Sequence, residues 1–506
     1  MKQIVRNFEE KPGRRFLFLT GREWRTGLLL AVVGAVLTAW FTVNLSPWLS
    51  VTVFVVILTV YHMRYAAAFI VPLPHIAILI SALEYVLAAW CSLSFPPVNP
   101  VYDIGSVLPS YLEYSGPVIV AICLGWGLSL VRLRPIAPAR ISTGVLNVLP
   151  ELDLLLAVGL VTTIVGRLVQ TNTTSFDFVI LLVSYLRFVG VYGRMVLRAP
   201  GWQWRLALVL ITEVFFATET AMFNPLLIWG AWTFAVWLYS FRPSPARVLA
   251  PLLVAALLLP ALQESKWRLR GGLPDIDAAS GVAYETNRSD QLSIDRVFSW
   301  LGYLADGLGR TLTLDLDDEF LGDTVTRYNQ GWIVVRVMSI VPDAQPYAKG
   351  DTLKEAAIAA LLPRMFAPGK IRAGGQEHMA LYAGIELNEQ TSMNLGYAGE
   401  LYANFGRLLG TVACGFYALG FGLLFRFICV RAFRQPLWWS VVPYIFFVVL
   451  KGDDGIAEVL TWTVKAALVI AGVIFILPNL RGLLFGQSNR QESALPRQLP
   501  PVPVIR

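Results

Sequence analysis

Apolar side chains occur in long runs along most of the chain, and short polar stretches separate these runs. An α-helix needs about 20 predominantly apolar residues to cross a membrane, and many of the runs are close to that length. The first run ends near Val43. The others lie at about 48–63, 74–93, 111–131, 151–169, 176–193, 203–220, 223–241, 246–262, 402–428, 436–450 and 457–479. The pattern predicts an all-α, polytopic membrane protein with about 12 transmembrane helices.

The composition supports this class and removes one alternative. Hydrophobic residues make up 56% of the chain and charged residues 15%, which is more apolar surface than a soluble domain could cover. The net charge of +7 is compatible with nucleic-acid binding. In a membrane protein, however, an excess of Lys and Arg is first explained by cytoplasmic loops. We therefore expect membrane lipid around this chain and no nucleic-acid partner.

Positive charge alternates along the predicted connections. Basic residues fill every second connection, at Arg64, at Arg132, Arg134 and Arg140, at Arg194 and Arg198, at Arg242 and Arg247, at Arg426, Arg431 and Arg434, and at Arg481. The connections 96–111, 170–176, 218–224 and 452–455 contain no Lys or Arg. Because Lys and Arg favour the cytoplasmic side, this alternation predicts that both termini are cytoplasmic.

The same alternation divides the chain into four parts. Residues 1–262 hold predicted transmembrane helices 1–9, and residues 399–480 hold helices 10–12. Residues 481–506 form a Pro-rich cytoplasmic tail that we expect to be disordered. Residues 263–398 face outward and are much too long for an ordinary connection, so we expect the function to lie there. Within them, 293–308, 331–341 and the apolar-faced stretch that ends before Pro363 read as short helices.

Cations in the outward segment are the first candidates for chemistry, since the topology does not require them there. They are Arg327, Arg336, Arg364, Lys370 and Arg372. The bidentate guanidinium of Arg and the ammonium of Lys can bind a pyrophosphate and stabilise its negative charge when it acts as a leaving group. Alternatively, Arg364 complements the dipole of the preceding helix and the others are solvated. His378, the one histidine in this segment, is either a surface residue or a proton carrier.

Polar residues also stand where the outward segment meets the next apolar run. In a helix, Glu400, Asn404 and Arg407 fall at i, i+4 and i+7 on one stripe, beside Gly406 and Gly410. Two glycines at this spacing let another helix approach closely, so the polar stripe is expected to face protein and not lipid. The stretch is either an interfacial cap with packing glycines or part of a functional site.

Acidic residues gather between the last two predicted helices, at Asp453, Asp454 and Glu458. Carboxylates at this spacing can bind a divalent cation. A solvated turn that caps the final helix is the better interpretation, because acidic residues are common at helix starts. No metal site is predicted.

Three stretches resemble a known family in their order and spacing. They are Pro-Tyr-Ala-Lys-Gly at 346–350, Leu-Leu-Pro-Arg-Met-Phe-Ala-Pro-Gly-Lys at 361–370 and Gly-Glu-Leu-Tyr-Ala-Asn-Phe-Gly at 399–406. Together they resemble the bacterial O-antigen and exopolysaccharide repeat-unit polymerases of the Wzy type. The resemblance covers about residues 345–425, and elsewhere it is one of hydropathy only. Ala367 and Gly369 depart from the family pattern.

The resemblance implies a GT-C-like membrane glycosyltransferase of the bacterial inner membrane, acting on the periplasmic side. Such an enzyme moves a glycan from undecaprenyl pyrophosphate onto the terminal sugar of a new lipid-linked repeat unit. It implies Glu400 as the base, with Arg364 and Lys370 on the leaving pyrophosphate. Further substrate contacts would come from Arg327, Arg336, Arg372, Tyr402, Asn404, Arg407 and His378.

No cofactor is expected, because the chain has no nucleotide-binding motif and the pyrophosphate-lipid bond supplies the driving force. The resemblance adds a chain-length regulator and a flippase as candidate partner proteins. Two other functions stay open. An O-antigen ligase would transfer the glycan to lipid A core, and a transporter for lipid-linked sugars would be recognised by internal repeats, broken helices and charges at the membrane midplane.

The charge pattern makes a topological prediction. A reporter fused after Gln263 or Asp351 should be located outside the cytoplasm, and one fused after Arg140 or Arg434 should be cytoplasmic. The reason is that connections rich in Lys and Arg stay on the cytoplasmic side of the membrane. Alkaline phosphatase and fluorescent-protein fusions measure the two outcomes. A cytoplasmic signal from both external fusions would contradict the topology.

Overall fold

The computed structural model describes residues 17–42, 46–133, 145–168, 174–269, 294–313, 318–362, 374–388 and 391–485. Within these ranges, all regular elements are helical. The α-helices of the first part are α1 Gly21–Phe41, α2 Pro47–Ala66, α3 Leu73–Ala82, α4 Ala88–Cys91, α5 Leu108–Leu130, α6 Val145–Leu168, α7 Thr174–Ser184, α8 Leu186–Val196, α9 Trp202–Thr220, α10 Asn224–Phe241 and α11 Pro245–Leu269. The remainder are α12 Ile294–Thr313, α13 Asp318–Tyr328, α14 Gly331–Ile340, α15 Asp351–Leu361, α16 Gln376–His378, α17 Gly396–Ala432, α18 Val442–Ile445, α19 Ile456–Ile476 and α20 Pro478–Phe485.

Nine helical segments in the described part of the chain are long and apolar enough to cross a membrane. They are Gly21–Phe41, Pro47–Ala66, Leu73–Cys91, Pro100–Leu130, Leu146–Gly166, Asp177–Val196, Pro245–Leu269, Gly396–Ala432 and Ile456–Ile476. The prediction of a multi-pass helical membrane protein is confirmed in this form. The count of about 12 spans stays a prediction.

Three predicted spans are outside this set. α9 and α10 coincide with predicted spans at 203–220 and 223–241, but α9 contains three charged residues. The predicted span at 436–450 is discontinuous. It consists of the 3-10 turn Pro436–Ser440, α18 and the 3-10 turn Val448–Leu450, and its side chains are largely buried.

Helix α17 has two arms that meet at Gly406. The backbone of Gly406 has φ 72° and ψ −166°, which interrupts the helix. A Cβ added at Gly410 would lie 3.0 Å from the Leu401 carbonyl oxygen, so the second arm packs back against the end of the first. The expectation of one continuous stripe from Glu400 to Arg407 is therefore wrong. Gly406 and Gly410 serve the bend between the arms.

The second arm of α17 packs along α5 through small residues. A Cβ at Gly125 would lie 2.3 Å from the Gly415 carbonyl oxygen and 2.9 Å from Ala418 Cβ. One at Gly422 would lie 2.4 Å from Ser129 Oγ. Small side chains let two backbones approach closely where lipid gives no hydrophobic drive between helices. The close-packing glycines are thus further along α17 than the sequence pattern suggested.

Several helix ends near this bundle are capped by arginines from the connections predicted to be cytoplasmic. Arg426 Nη1 donates to the Ser129 carbonyl at 3.0 Å and to the Val131 carbonyl at 2.5 Å, at the end of α5. Arg198 Nε donates to the Ser240 carbonyl at 2.8 Å, near the end of α10. Cations at helix C-termini satisfy the last carbonyls and complement the helix dipole.

An ion pair is buried between α8 and α9. Arg187 of α8 pairs with Glu213 of α9. Arg187 Nη1 also donates to Thr163 Oγ1 at 2.5 Å and to the Ser184 carbonyl at 2.7 Å, where α7 gives way to α8. Charged groups at membrane depth are unfavourable unless they are paired. Glu213 is therefore held within the bundle.

The short helices predicted in the segment 263–398 are confirmed as α12, α14 and α15, and α13 was not predicted. α12 packs on α11, where Trp300 Nε1 donates to Ser265 Oγ at 3.1 Å. α14 contacts the first arm of α17, since Val334 and Val337 lie against Gly399. α15 packs along α19. These contacts seat the segment on the spanning helices.

The glycine packing generates a stability prediction. Gly125→Ala and Gly422→Ala should each lower the free energy of unfolding by about 1–3 kcal/mol, because the new methyl group overpacks the α5–α17 contact. Gly127→Ala and Gly420→Ala are matched controls, since nothing lies within 4 Å of a Cβ at either position. Thermal unfolding of the detergent-solubilised protein measures the difference. Equal melting temperatures for all four variants would contradict the packing.

Candidate functional site

The segment 347–350 caps the first arm of α17. The last carbonyls of a helix need partners from outside it. The Ala348 N–H donates to the Ala403 carbonyl at 3.0 Å, and the Lys349 N–H donates to the Asn404 carbonyl at 3.1 Å. The Gly350 N–H donates to Asn404 Oδ1 at 2.8 Å. Two of the three stretches that carry the family resemblance thus meet in space.

The side chain of Tyr347 lies against the bend itself. A Cβ at Gly406 would lie 2.8 Å from the Tyr347 hydroxyl oxygen. The positive φ of Gly406 is also a backbone conformation that other residues adopt only with strain. Glycine is required at this position for both reasons, and the bend brings 346–350 and 399–406 into direct contact.

Glu400 lies on the buried face of the first arm, with 1% of its surface exposed. Its Oε1 accepts a hydrogen bond from Thr352 Oγ1 at 2.8 Å, and its Oε2 accepts one from the Ile456 N–H at 2.8 Å. Ile456 is the first residue of α19, where the positive end of the helix dipole favours a carboxylate. Glu400 therefore ties α15 and α19 to α17.

Asn404 extends this network on the same face of the helix. Its Nδ2 donates to Thr352 Oγ1 at 2.7 Å and to the Glu400 carbonyl at 2.8 Å, and its Oδ1 accepts from Gly350. All side-chain N and O atoms of Glu400 and Asn404 have protein partners. The expectation that these two residues face protein is confirmed.

The catalytic role predicted for Glu400 stays a prediction. A general base must come within hydrogen-bond distance of the proton that it removes. Both Glu400 oxygens accept from protein donors instead. This geometry fits a residue that positions α15 and α19.

Tyr402 packs the first arm of α17 onto α5. Its ring meets the Tyr114 ring edge to face, with centroids 5.1 Å apart, and the Tyr114 hydroxyl donates to the Ala398 carbonyl at 2.8 Å. The Tyr402 side chain is 8% exposed. It is part of the helix contact, and its predicted substrate contact stays a prediction.

Arg407 lies beyond the bend and is separated from Glu400. It forms an ion pair with Glu113 of α5, and about half of each side chain is exposed. The Arg407 Nε also donates to the Glu113 carbonyl at 3.3 Å. The prediction that Arg407 lies on the same stripe as Glu400 assumed a continuous helix, and the bend at Gly406 separates the two residues.

His378 forms a pair with Glu355 of α15. His378 Nε2 and Glu355 Oε2 are 3.0 Å apart, the His378 side chain is 13% exposed and that of Glu355 is 50% exposed. Glu355 follows Thr352 by one helical turn, so the pair lies next to the Glu400 network. Of the predicted site residues that the structure describes, His378 is the one that combines this location with access to solvent.

The other predicted cations are spread over the segment. Arg327 near the end of α13 and Arg336 in α14 are both half-buried. Among the described residues, neither guanidinium forms an ion pair. Arg327 is close enough to Glu84 and Lys451 to interact with their charges. Arg327 therefore belongs to the polar cluster that contains Glu84 and Lys451.

Arg364, Lys370 and Arg372 lie outside the described residues. Gly374 is the first described residue after these three. The Gly374 N–H donates to Glu458 Oε1 at 3.3 Å, and Glu458 is in the first turn of α19. The chain thus returns beside the helix start to which Glu400 is bonded.

The turn before α19 is largely buried. The interpretation of Asp453 and Asp454 as part of a solvated turn is therefore wrong. Lys451 and Asp454 form an ion pair with side chains 18% and 13% exposed. Burial raises the pKa of the Asp454 carboxyl to about 6, although the Lys451 ammonium opposes this shift. Asp453 accepts a hydrogen bond from Asn224 Nδ2 at 3.4 Å. The turn is a packed polar connection.

Sequence reasoning missed Thr352 and Glu355. Thr352 stands near the start of α15 and is buried, although its neighbour Asp351 is exposed. The apolar periodicity of α15 was read from its Leu and Ala residues and did not include these polar positions. A polar residue in the first turn, on the apolar side of a short helix, is the signal that could have marked Thr352.

Comparisons of the chain with protein-family models, with curated proteins and with solved structures each find no match.

The Glu400 network makes a prediction that concerns stability. Glu400→Gln should lower the free energy of unfolding by about 1–3 kcal/mol, because an amide has one acceptor oxygen and leaves one of the two donors without a partner. Glu377→Gln is the control, since Glu377 is exposed. Thermal unfolding in detergent measures both variants. If Glu400→Gln and the control have the same melting temperature, the two hydrogen bonds do not stabilise the fold.

Proposed function

We propose that this chain is a membrane glycosyltransferase that polymerises oligosaccharide repeat units linked to undecaprenyl pyrophosphate. The product would be an O-antigen, capsule or exopolysaccharide, made on the periplasmic side of the bacterial inner membrane. In the proposed topology, the chain has about 12 spans and both termini in the cytoplasm. The proposed fold is GT-C-like.

One observation carries this proposal. The stretches 346–350 and 399–406 resemble the polymerase family separately, and their backbones are hydrogen bonded to each other at the bend of α17. Residues that act in one site must come together in the fold, whereas an accidental resemblance gives no reason for contact. The resemblance therefore gains weight from the contact between its parts.

Cations of the segment 263–398 would supply the electrostatic part of the chemistry. A pyrophosphate that leaves from a sugar carries growing negative charge, which Arg and Lys stabilise. We assign this role to Arg364 and Lys370. Arg327, Arg336 and Arg372 would contribute to binding of the lipid-linked glycan. The remaining requirement is a group that takes the proton of the acceptor hydroxyl.

A transporter for lipid-linked sugars is the second candidate, and two observations favour it. The segment 436–450 is discontinuous and buried, and the Arg187–Glu213 pair is buried between α8 and α9. Broken helices and intramembrane charges are frequent in transporters. We prefer the polymerase because the two stretches that resemble this family, 346–350 and 399–406, contact each other and include neither the segment 436–450 nor the Arg187–Glu213 pair. A ligase would share this geometry and differs in its acceptor.

Deletion of the gene separates the candidates. A strain that has lost a polymerase should attach a single repeat unit to its acceptor, because transfer continues without elongation. A strain that has lost a ligase or a transporter should attach none. Gel banding of the surface glycan measures the difference.

The same strain tests the cation assignment. Arg364→Ala should abolish polymer with protein amounts retained, and Arg364→Lys should restore it only in part because the bidentate fork is lost. Lys354→Ala removes an exposed cation of α15 and serves as the control. Normal chain lengths in Arg364→Ala would refute the assignment.

A further inference from the structure

The His378–Glu355 pair has the arrangement of a proton-accepting dyad. Glu355 Oε2 is 3.0 Å from His378 Nε2, so the carboxylate can orient the imidazole. The other ring nitrogen, Nδ1, has no hydrogen-bond partner among the described residues. An imidazole held by a carboxylate at one nitrogen is free to accept a proton at the other.

The fold holds both members of the pair in place. Glu355 stands one turn after Thr352, which is fixed by Glu400 and Asn404. His378 follows the left-handed Gly375, where a Cβ would lie 2.3 Å from Asn394 Oδ1. A side chain at that position would displace the turn. The Thr352 hydrogen bonds thus hold the Glu355 side of the pair, and the close packing at Gly375 holds the His378 side.

We propose that His378 accepts the proton of the acceptor hydroxyl and that Glu355 positions the imidazole and stabilises its protonated form. The inference rests on the proposed glycosyl transfer. As the hydroxyl oxygen bonds to the donor sugar carbon, its proton passes to His378 Nδ1. The bond from that carbon to the pyrophosphate oxygen breaks, and the electron pair leaves with undecaprenyl pyrophosphate. The step involves no change of oxidation state, so it needs no oxidant or reductant.

Access distinguishes His378 from Glu400 as a base. The Glu400 oxygens are buried and bonded to Thr352 and Ile456, whereas His378 and Glu355 reach the surface. In this arrangement Glu400 is a positioning residue. It fixes α15 through Thr352, and α15 carries Glu355.

Acidic groups lie near the dyad on the described elements. They are Asp351 and Glu355 of α15, Glu377 and Tyr382 of the histidine's own segment, Glu400 of α17 and Glu458 of α19. The carboxylates among them favour the protonated imidazole once the proton has been transferred. Among them, Glu355 is in direct contact with His378.

The experiment measures polymer formation against pH by the full-length protein in lipid vesicles with undecaprenyl-pyrophosphate-linked repeat units. His378→Gln should lower the rate by about 100-fold or more, the usual contribution of a general base. Glu355→Gln keeps a hydrogen-bond acceptor for Nε2 but loses the charge. Its rate should fall less, and the decline in rate at acid pH should move to lower pH. Glu386→Gln removes an exposed carboxylate outside this group, so it is the matched control and should behave as wild type.

Each outcome decides one question. A wild-type protein that makes no polymer from these lipids overturns the proposed function. An active wild type with an equally active His378→Gln overturns the dyad alone. Asp454, whose pKa burial raises to about 6, is another group that can cause a decline at acid pH. If Asp454→Asn moves the acid decline and Glu355→Gln does not, the dyad is refuted. Glu355 is half exposed, so its variant tests the dyad even if His378→Gln unfolds.

Discussion

A helix that breaks must find partners for the polar backbone groups at the break, and the site depends on how this chain meets that requirement. Gly406 makes the bend because its backbone has a positive φ. The N–H groups of Ala348 and Lys349 then satisfy carbonyls at the end of the first arm. The same segment continues directly into α15, so capping the bend also fixes where α15 begins.

The buried carboxylate of Glu400 joins these elements a second time. A charge without water is stable only when its oxygens are hydrogen bonded, and here Thr352 and the Ile456 N–H supply both bonds. α15 and α19 are therefore held to α17 by one side chain. Glu355, the exposed partner of the half-buried His378, stands one turn from Thr352. The buried Glu400 network and the solvent-accessible His378–Glu355 pair are thus neighbouring but separate.

The spanning helices supply the platform on which this site rests. Glycines and alanines let α5 and α17 approach closely, which is the main source of helix association in lipid. The discontinuous segment 436–450 is buried by its neighbours. It leads into the packed Lys451–Asp454 turn and then to α19. The platform and the site are therefore connected through the start of α19.

The sequence by itself determined the helical membrane class, most spanning segments and the helices α12, α14 and α15, because apolar run length and periodicity are local properties. It also identified Glu400 and Asn404 as a protein-facing pair. Only the tertiary structure decided that Arg407 pairs with Glu113 and that Glu400 bonds to Thr352 and Ile456. A helical stripe holds only while the helix is continuous, and contacts between residues 48 or more positions apart depend on how whole helices pack.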